Sequence, residues 1–367
     1  MTRIHVLIIS ALLLCLPAVA QQKVIDAEDG IPVAAASIFD AEGNVIGYTL
    51  ADGTFSEISD AAYPITLRCL GYEPLEIELP KDTAWSMKPN YFGMQELVVV
   101  PVERSVMKQT FYIREYFSLS STTNTVTFFT ERMAYRFVPA TKDAETGVSS
   151  KMHEVNTRSY SQYKDAETDS VEINDESHFS ITFSLMDLSD KEVVAPKSFN
   201  TPSDSTKLFE QKGKSGFELV AKQSEQVFTI TKDGLADKKN HTYSPWPLKL
   251  LGMTMDINQL YITKAFRVND EGSYISKDLL QSSFVMEADC RGKIFRKLLE
   301  SDKPVLMRIM AEMYIVDREF FTKEEAIVES KKETQKAEFV IPSGVPPLND
   351  ATQELVNRAE AERSQNK

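Results

Sequence analysis

The sequence predicts a mainly β chain: an N-terminal β-sandwich, then a larger β-rich domain, with helices at the C-terminal end. Three observations carry this expectation. From Lys23 to Pro80, short alternating apolar runs are separated by Gly-containing turns at roughly 8–12-residue intervals, the rhythm of an antiparallel sandwich. Farther along, three longer stretches alternate with period two, as half-buried strands do. Near the end, Thr322 and Asp350 open segments with helix-start chemistry.

Composition bounds the reading. The 367 residues are 42% hydrophobic, 26% charged and 10% aromatic, with 41 basic against 54 acidic side chains and a net charge of −13. This is globular composition, and it excludes a disordered, collagenous or small disulfide-stapled chain. A net acidic chain without a Lys/Arg cluster is a poor binder of nucleic acid, which needs clustered cations. Length alone suggests two domains of about 150 residues each.

Residues 1–20 read as a signal peptide. Arg3 gives a positive start, Val6 to Leu16 an apolar stretch, and Ala18 and Ala20 the small residues before a cut ahead of Gln21. The stretch is too short for a spanning helix of ~20 residues. Leu14 stands where a lipobox before Cys15 wants a small residue. The chain is therefore expected to be exported. The mature chain keeps Cys69 and Cys290, far apart in sequence, and no disulfide between them is required. Cys69 follows Ile65 and Leu67 on one face of a strand and reads as a small core residue.

The sandwich is expected over 21–90. Its strands run through Val24, through Ala36 and Ile38, from Val45 to Thr49, from Ile65 to Cys69 and from Leu75 to Leu79, with turns at Asp29-Gly30, Gly43-Asn44 and Asp52-Gly53. Asp-Gly supplies the positive-φ positions of a tight hairpin. A connecting strand is expected over 91–102 and a β-rich domain over 103–340. In that domain Phe179, Ile181, Phe183 and Leu185 alternate with Ser and Thr, as do Val227 to Thr231. Met307, Ile309, Ala311, Met313 and Ile315 share one face of a long strand, with Arg308 and Glu312 on the other. Residues 188–216, rich in Ser, Asp, Lys and Pro, read as a long mobile loop. Thr322 with Glu325 forms a capping box, with Phe321 and Ala326 as its staple. Over 341–367 a Pro-rich linker precedes a second helix, capped by Asp350, with Ala351, Leu355, Val356 and Ala359 along one stripe and a frayed end from Glu360.

Gly30-Ile31-Pro32-Val33, then Gly47-Tyr48-Thr49 with Asp52-Gly53-Thr54-Phe55, then Leu70-Gly71-Tyr72 resemble the carboxypeptidase-regulatory-like domain, a transthyretin-like β-sandwich. The hairpin is one residue shorter between its Asp and Gly than in some members. The motif residues Gly30, Pro32, Asp52, Gly53, Phe55, Gly71 and Tyr72 are structural in that family, and Gly71 implies a conformation only glycine takes easily. The run from Met94 to Pro101 resembles the one that follows this domain in TonB-dependent outer-membrane receptors of Bacteroidetes-type bacteria. The roughly 265 residues that follow are too few for a plug and 22-stranded barrel, so a bridging strand is expected. Tyr112 to Tyr116, Phe129 to Glu131, Arg158 to Tyr160, Asp169 to Val171, Tyr314 to Asp317 and Pro346 to Asn349 are similar to exported proteins of that group which carry the same N-terminal domain. The resemblance implies shared architecture and a periplasmic or outer-membrane-associated place for the exported chain, and it transfers no catalytic residue.

No catalytic constellation stands out. Members of the family accompany zinc carboxypeptidases, whose metal lies in a separate domain; here His153, His178 and His241 lack a Glu at i+3 and no His-Glu-x-x-His occurs. Ser105 with Lys108 and Ser161 with Lys164 spell S-x-x-K without its companion motifs. Gly213-Lys214-Ser215 lacks the first glycine of a P-loop. Asp26, Glu28 and Asp29 could meet Ca²⁺, but without a distal bidentate Glu they read as a solvated turn. Tyr160, Tyr163, Tyr243, Trp246 and Tyr274 form either an exposed platform for sugars and proteins or anchors of a sheet core. Arg114-Glu115 and Glu131-Arg132 read as solvated strand charges. The expectation is a non-enzymatic envelope protein without a cofactor, binding an envelope protein or glycan. The alternatives are a hydrolase working through paired carboxylates and a purely structural envelope component.

Overall fold

The computed structural model describes residues 22–79, 84–90, 103–122, 124–164, 169–174, 192–199, 206–213, 216–236, 242–243, 252–299, 305–332, 339, 341 and 343–365. The expected signal peptide, the strand over 91–102 and the Phe179–Leu185 alternation lie outside them.

The N-terminal unit holds β1 (Lys23–Asp26), β2 (Ser37–Phe39), β3 (Val45–Tyr48), β4 (Ile65–Arg68), β5 (Leu75–Ile77) and β6 (Ala84–Met87). An antiparallel sheet ordered β3-β2-β4-β5 faces the parallel pair β1-β6. Between them lie Val24, Ile38, Phe55, Ile65, Leu67, Trp85 and Met87, the shared core of a small sandwich. Pairing is briefer than the alternation predicts: the strand expected through Ala36 and Ile38 joins the sheet only over Ser37–Phe39.

The rest of the described chain is dominated by one antiparallel sheet. Its strands are β7 (Val106–Ser120), β8 (Thr125–Pro139), β9 (His153–Lys164), β10 (Asp169–Asn174), β12 (Lys207–Gly213), β13 (Gly216–Gln223), β14 (Val227–Asp233), β15 (Thr242–Tyr243), β16 (Thr254–Arg267), β18 (Leu279–Arg291) and β19 (Val305–Phe321). Their order is β10-β9-β8-β7-β19-β18-β16-β14-β13-β12, with β15 beside β16. A short pair, β11 (Val193–Val194) with β17 (Ser273–Tyr274), stands apart.

The long period-two strand around Met307 is present, and so is its division of faces. Met307, Ile309, Ala311, Met313 and Ile315 join one large apolar cluster with Phe111, Ile113, Phe228, Phe284 and Met286. Glu312 and Tyr314 belong to the opposite face. There the N-terminal unit and the C-terminal helix pack around Phe39, Val45, Tyr48, Tyr116, Phe129, Tyr160, Leu355, Val356 and Ala359. The Tyr48 hydroxyl reaches between the strand carbonyls of Met286 at 3.0 Å and Ile309 at 2.9 Å, tying the two parts together through main chain.

The helices are α1 (Lys293–Leu298), α2 (Lys323–Glu329) and α3 (Asp350–Gln365). The capping box of α2 is formed: Thr322 Oγ1 accepts from the Glu325 N–H at 3.2 Å, and Glu325 Oε2 accepts from the Thr322 N–H at 2.9 Å. Ala326 is buried with Phe321 against it. For α3 the cap is Asn349, whose Oδ1 accepts from the Thr352 N–H at 2.8 Å; Asp350 is the first helical residue instead. The helix continues through Gln365, past the expected fraying point, and it buries Thr352 in place of Ala351.

The expected mobile loop over 188–216 is overturned where it is described. Val193–Val194 pairs with Ser273–Tyr274, Phe199 enters the main core, and Lys207–Gly213 is the edge strand β12. A strand at an edge keeps charged side chains that discourage pairing with other chains, so its sequence loses the apolar alternation of an inner strand.

Candidate functional site

Successive residues of a strand point to opposite faces, and register decides who meets across strands. Ser283, Glu312, Arg114, Glu131 and Arg158 occupy one row across β18, β19, β7, β8 and β9. Four of them alternate in charge. The next row carries Tyr116, Phe129 and Tyr160, with ring centroids 5.0 and 6.1 Å apart. On the other side of the ladder lie Tyr314 and Tyr112, cross-strand partners at 6.5 Å.

This corrects the reading of Arg114-Glu115 and Glu131-Arg132 as solvated pairs, since all four residues are buried. Adjacent in sequence, they lie on opposite faces and pair elsewhere. Arg158 Nη2 donates to Glu131 Oε2 at 3.2 Å, and Tyr112 donates to Glu131 Oε1. Arg114 Nε donates to the Tyr112 oxygen at 2.9 Å and lies 3.8 Å from Glu131 Oε1. On the far face Arg132 Nε donates to Glu115 at 3.0 Å, and Arg132 Nη1 reaches Glu154 at 3.1 Å. Burial is the main cause that pushes the Tyr112 and Tyr116 hydroxyls above their ordinary pKa, aided at Tyr112 by the Glu131 charge.

Two other parts of the chain close over the ladder. From β4 comes Arg68, whose Nη2 donates to Glu312 Oε2 at 3.1 Å, with the two side chains 2% and 3% exposed. Burial would lower the Arg68 pKa, but the Glu312 charge holds it above its ordinary value. From the C-terminal segment, the carbonyl of Pro346 accepts from Arg114 Nη1, and that of Pro347 accepts from Arg68 Nη1 at 2.5 Å. Phe339 lies under the Arg158 guanidinium at 4.2 Å and beside Tyr112 at 6.0 Å. Glu360 of α3 takes Arg158 Nη1 at 3.0 Å. The Pro-rich stretch expected to be a linker is thus a docked part of the cluster.

A second polar knot lies where the N-terminal unit meets β13. Asp26 Oδ1 accepts from the Glu28 N–H at 2.8 Å, while Oδ2 accepts from Tyr72 at 2.9 Å and from Lys222. Lys222 Nζ is also 3.0 Å from Asp29 Oδ2. The expected solvated turn is therefore corrected: Asp26 is buried, and the ammonium stands between the carboxylates where a cation would have to sit. Burial raises the Asp26 pKa, but the Lys222 bond, the Glu28 amide, the Lys222 charge and Tyr72 outweigh it and hold the carboxyl below its usual range.

The motif residues are structural in position. Gly30 turns with φ +70° beside Asp26, and Pro32 bridges Ile25. Asp52 Oδ1 accepts from the Thr54 N–H at 3.0 Å and its hydroxyl at 2.6 Å. At Gly53, with φ +75°, a Cβ would fall 2.3 Å from the Val24 carbonyl. Phe55 stacks near Trp85 at 5.7 Å. Gly71 has φ +85° and accepts from Asn90 at 2.7 Å, which leaves Tyr72 pointing at Asp26. Gly30 and Tyr72 thus meet at the second knot; none of the seven reaches the ladder.

Of the aromatic candidates, Tyr160 and Tyr274 are core anchors, and Tyr163 is half-buried, accepting from Asn124 at 3.1 Å. The Tyr243 side chain, Trp246, His178 and His241 lie outside the described residues. His153 stacks on Tyr135 at 5.1 Å. Among the described residues no group of His, Cys, Asp and Glu is arranged to hold a metal ion, and no helix is long and apolar enough to cross a membrane. Cys69 and Cys290 are free thiols, pushed up to about 12 by burial. Shallow cavities occur at the surface, among them a groove of about 480 Å³ lined by Phe320, Phe321, Val328 and Glu324.

No family model matches the chain, and no curated protein sequence matches it. Among solved structures, a structure titled "Lipid-protein interactions in lipovitellin" aligns over 59% of this chain and 25% of its own, with 11% identity and a TM-score of 0.27. The chain thus covers about a quarter of that protein's length, and so loose a likeness carries no argument about function.

Proposed function

We propose that this chain is a non-enzymatic, exported cell-envelope protein of the carboxypeptidase-regulatory-like type, an interaction module acting with an outer-membrane or periplasmic partner. One observation carries the proposal. Five of the stretches that resemble exported proteins with the same N-terminal domain converge on a single charge ladder: those at Tyr112, Phe129, Arg158, Tyr314 and Pro346. Asp169–Asn174 lies at the sheet edge instead.

The convergent carboxylates are committed to fixed cations and hydroxyls, Glu131 to Tyr112 and Arg158, Glu312 to Arg68. A carboxylate pair that works on a glycoside must face the substrate; these are sealed beneath the N-terminal unit and the tail. Their effect is to hold three parts of the chain in one orientation, which suits a scaffold that presents a surface to a partner. The acidic net charge favours a partner other than nucleic acid.

The test is made on the purified mature chain, residues 21–367. The expected result is saturable, stoichiometric binding to one envelope protein or glycan, measured by calorimetry after crosslinking identifies it. Turnover of peptide or glycoside substrates that is abolished by one Asp or Glu substitution would overturn the proposal.

A further inference from the structure

What the tail presents to the ladder is main chain. Arg114 and Arg68 each send one guanidinium arm to the carbonyl of a proline, Pro346 and Pro347 respectively. The remaining arms are held from beneath, Arg68 by Glu312 at 3.1 Å and Arg114 by the Tyr112 oxygen at 2.9 Å. The groups that aim the forks from beneath, Glu312 and Tyr112, thus belong to the sheet and not to the tail.

Two consecutive prolines suit such a receiver. Neither has an N–H, so the segment brings acceptors into a buried cleft without donors that would need partners. Their fixed φ also lowers the ordering cost of docking. The next two residues complete the fit: Leu348 packs against the apolar cluster shared by the N-terminal unit, the sheet and α3, and Asn349 caps α3.

The cleft also has unused capacity. Arg68 Nε and the Tyr116 hydroxyl, on side chains each 2% exposed, have no hydrogen-bond partner. The Arg68 guanidinium lies 5.7 Å from the Tyr116 ring centroid, so both atoms belong to the same pocket wall. Such groups are costly to leave unpaired in a site that serves only as filler.

We infer that the cleft between the N-terminal unit and the large sheet is a peptide-binding site for a proline-paired segment, occupied here in cis by this chain's own residues 343–365. The recognition mode is that of aromatic-lined sites for proline-rich peptides, with guanidinium donors reading successive carbonyls. A partner segment of the same chemistry would enter by replacing the tail; that extension alone rests on the proposed interaction role.

The test uses the full chain with a protease site placed between Lys332 and Phe339, cut after folding. The expected result is a tail fragment that stays bound in size-exclusion chromatography at micromolar concentration. A synthetic peptide of residues 343–365 exchanges with it, and the same peptide carrying Pro346→Ala and Pro347→Ala competes about tenfold more weakly. R68K with R114K in the protein, which keep charge but lose the fork, speed fragment release by tenfold or more. Immediate loss of the fragment on cutting, or equal competition by the two peptides, would overturn the inference. The peptide arm requires no altered protein. Its failure also leaves envelope binding by the intact chain untouched, so the two proposals fail separately.

Discussion

Replacing Glu312 with Gln removes one charge from the ladder while keeping its shape. Glu312 lies 3.1 Å from the Arg68 guanidinium, and neither side chain is more than 3% exposed. At an effective dielectric of 20, a pair at 3.1 Å attracts by about 5 kcal/mol, most of it offset by the cost of taking both ions from water. The net value of the intact pair is therefore small, yet removing one partner strands the other. The expected loss for E312Q is about 3–5 kcal/mol. In a cycle of R68M, E312L and their combination, each single variant is expected to lose about 3–5 kcal/mol and the double variant, which strands no charge, less than either alone, so the coupling is at least about 3 kcal/mol. The assay is urea unfolding followed by far-UV circular dichroism, with tryptophan emission in a W246F background, which reports Trp85 of the N-terminal core, as a second probe. A loss below about 1 kcal/mol for E312Q, the value of an exposed pair, would refute the burial argument. Strict additivity in the cycle would do the same.

Asp26 titrates below its ordinary value of 3.8 in the folded chain, so its stabilising contribution is present above that value and is lost as pH falls through the folded pKa. K222M removes the main partner and leaves burial to raise the Asp26 pKa, so the variant is expected to lose stability at neutral pH and to recover part of that loss as Asp26 is protonated in acid; a loss of the same size at neutral and acid pH would count against the knot. Added Ca²⁺ is expected to leave the melting temperature unchanged, because the Lys222 ammonium already bridges Asp26 and Asp29. G53A puts a Cβ 2.3 Å from the Val24 carbonyl at φ +75°, and G71V places a β-branched residue at φ +85°. Each is expected to cost about 1–3 kcal/mol, and wild-type melting of either would remove the support. Cys290, buried with its thiol at about 12, is expected to resist maleimide at pH 8 until the chain unfolds.

What could be read from the sequence was local. The α2 capping box closes within four residues, and the two faces of β19 follow from period two, so neither needed a distant partner. Turn glycines at 30, 53 and 71 take the positive φ that their motifs imply. What could not be read depended on register. Arg114 and Glu131 are cross-strand partners, and Glu131 and Arg158 likewise, but no residue spacing announces that alignment. Neighbouring opposite charges on a strand suggested solvated pairs because a charged side chain is exposed by default. β12 was hidden for a related reason, its Lys and Glu being edge residues. β6 was missed because four residues, Ala84–Met87, alternate too briefly to stand out.

The sequence by itself determined the mainly β character, the turn positions and the start of α2. Those follow from side-chain period, backbone freedom and caps, which act over a few residues. Only the tertiary structure decided that the charges of β7, β8 and β9 are buried, that Lys222 stands between the carboxylates of Asp26 and Asp29, and that the prolines near the end are a ligand for two arginines. The physical reason is that burying a charge is costly until its partners are in place. Those partners arrive from strands and segments that meet only when the whole sheet is assembled.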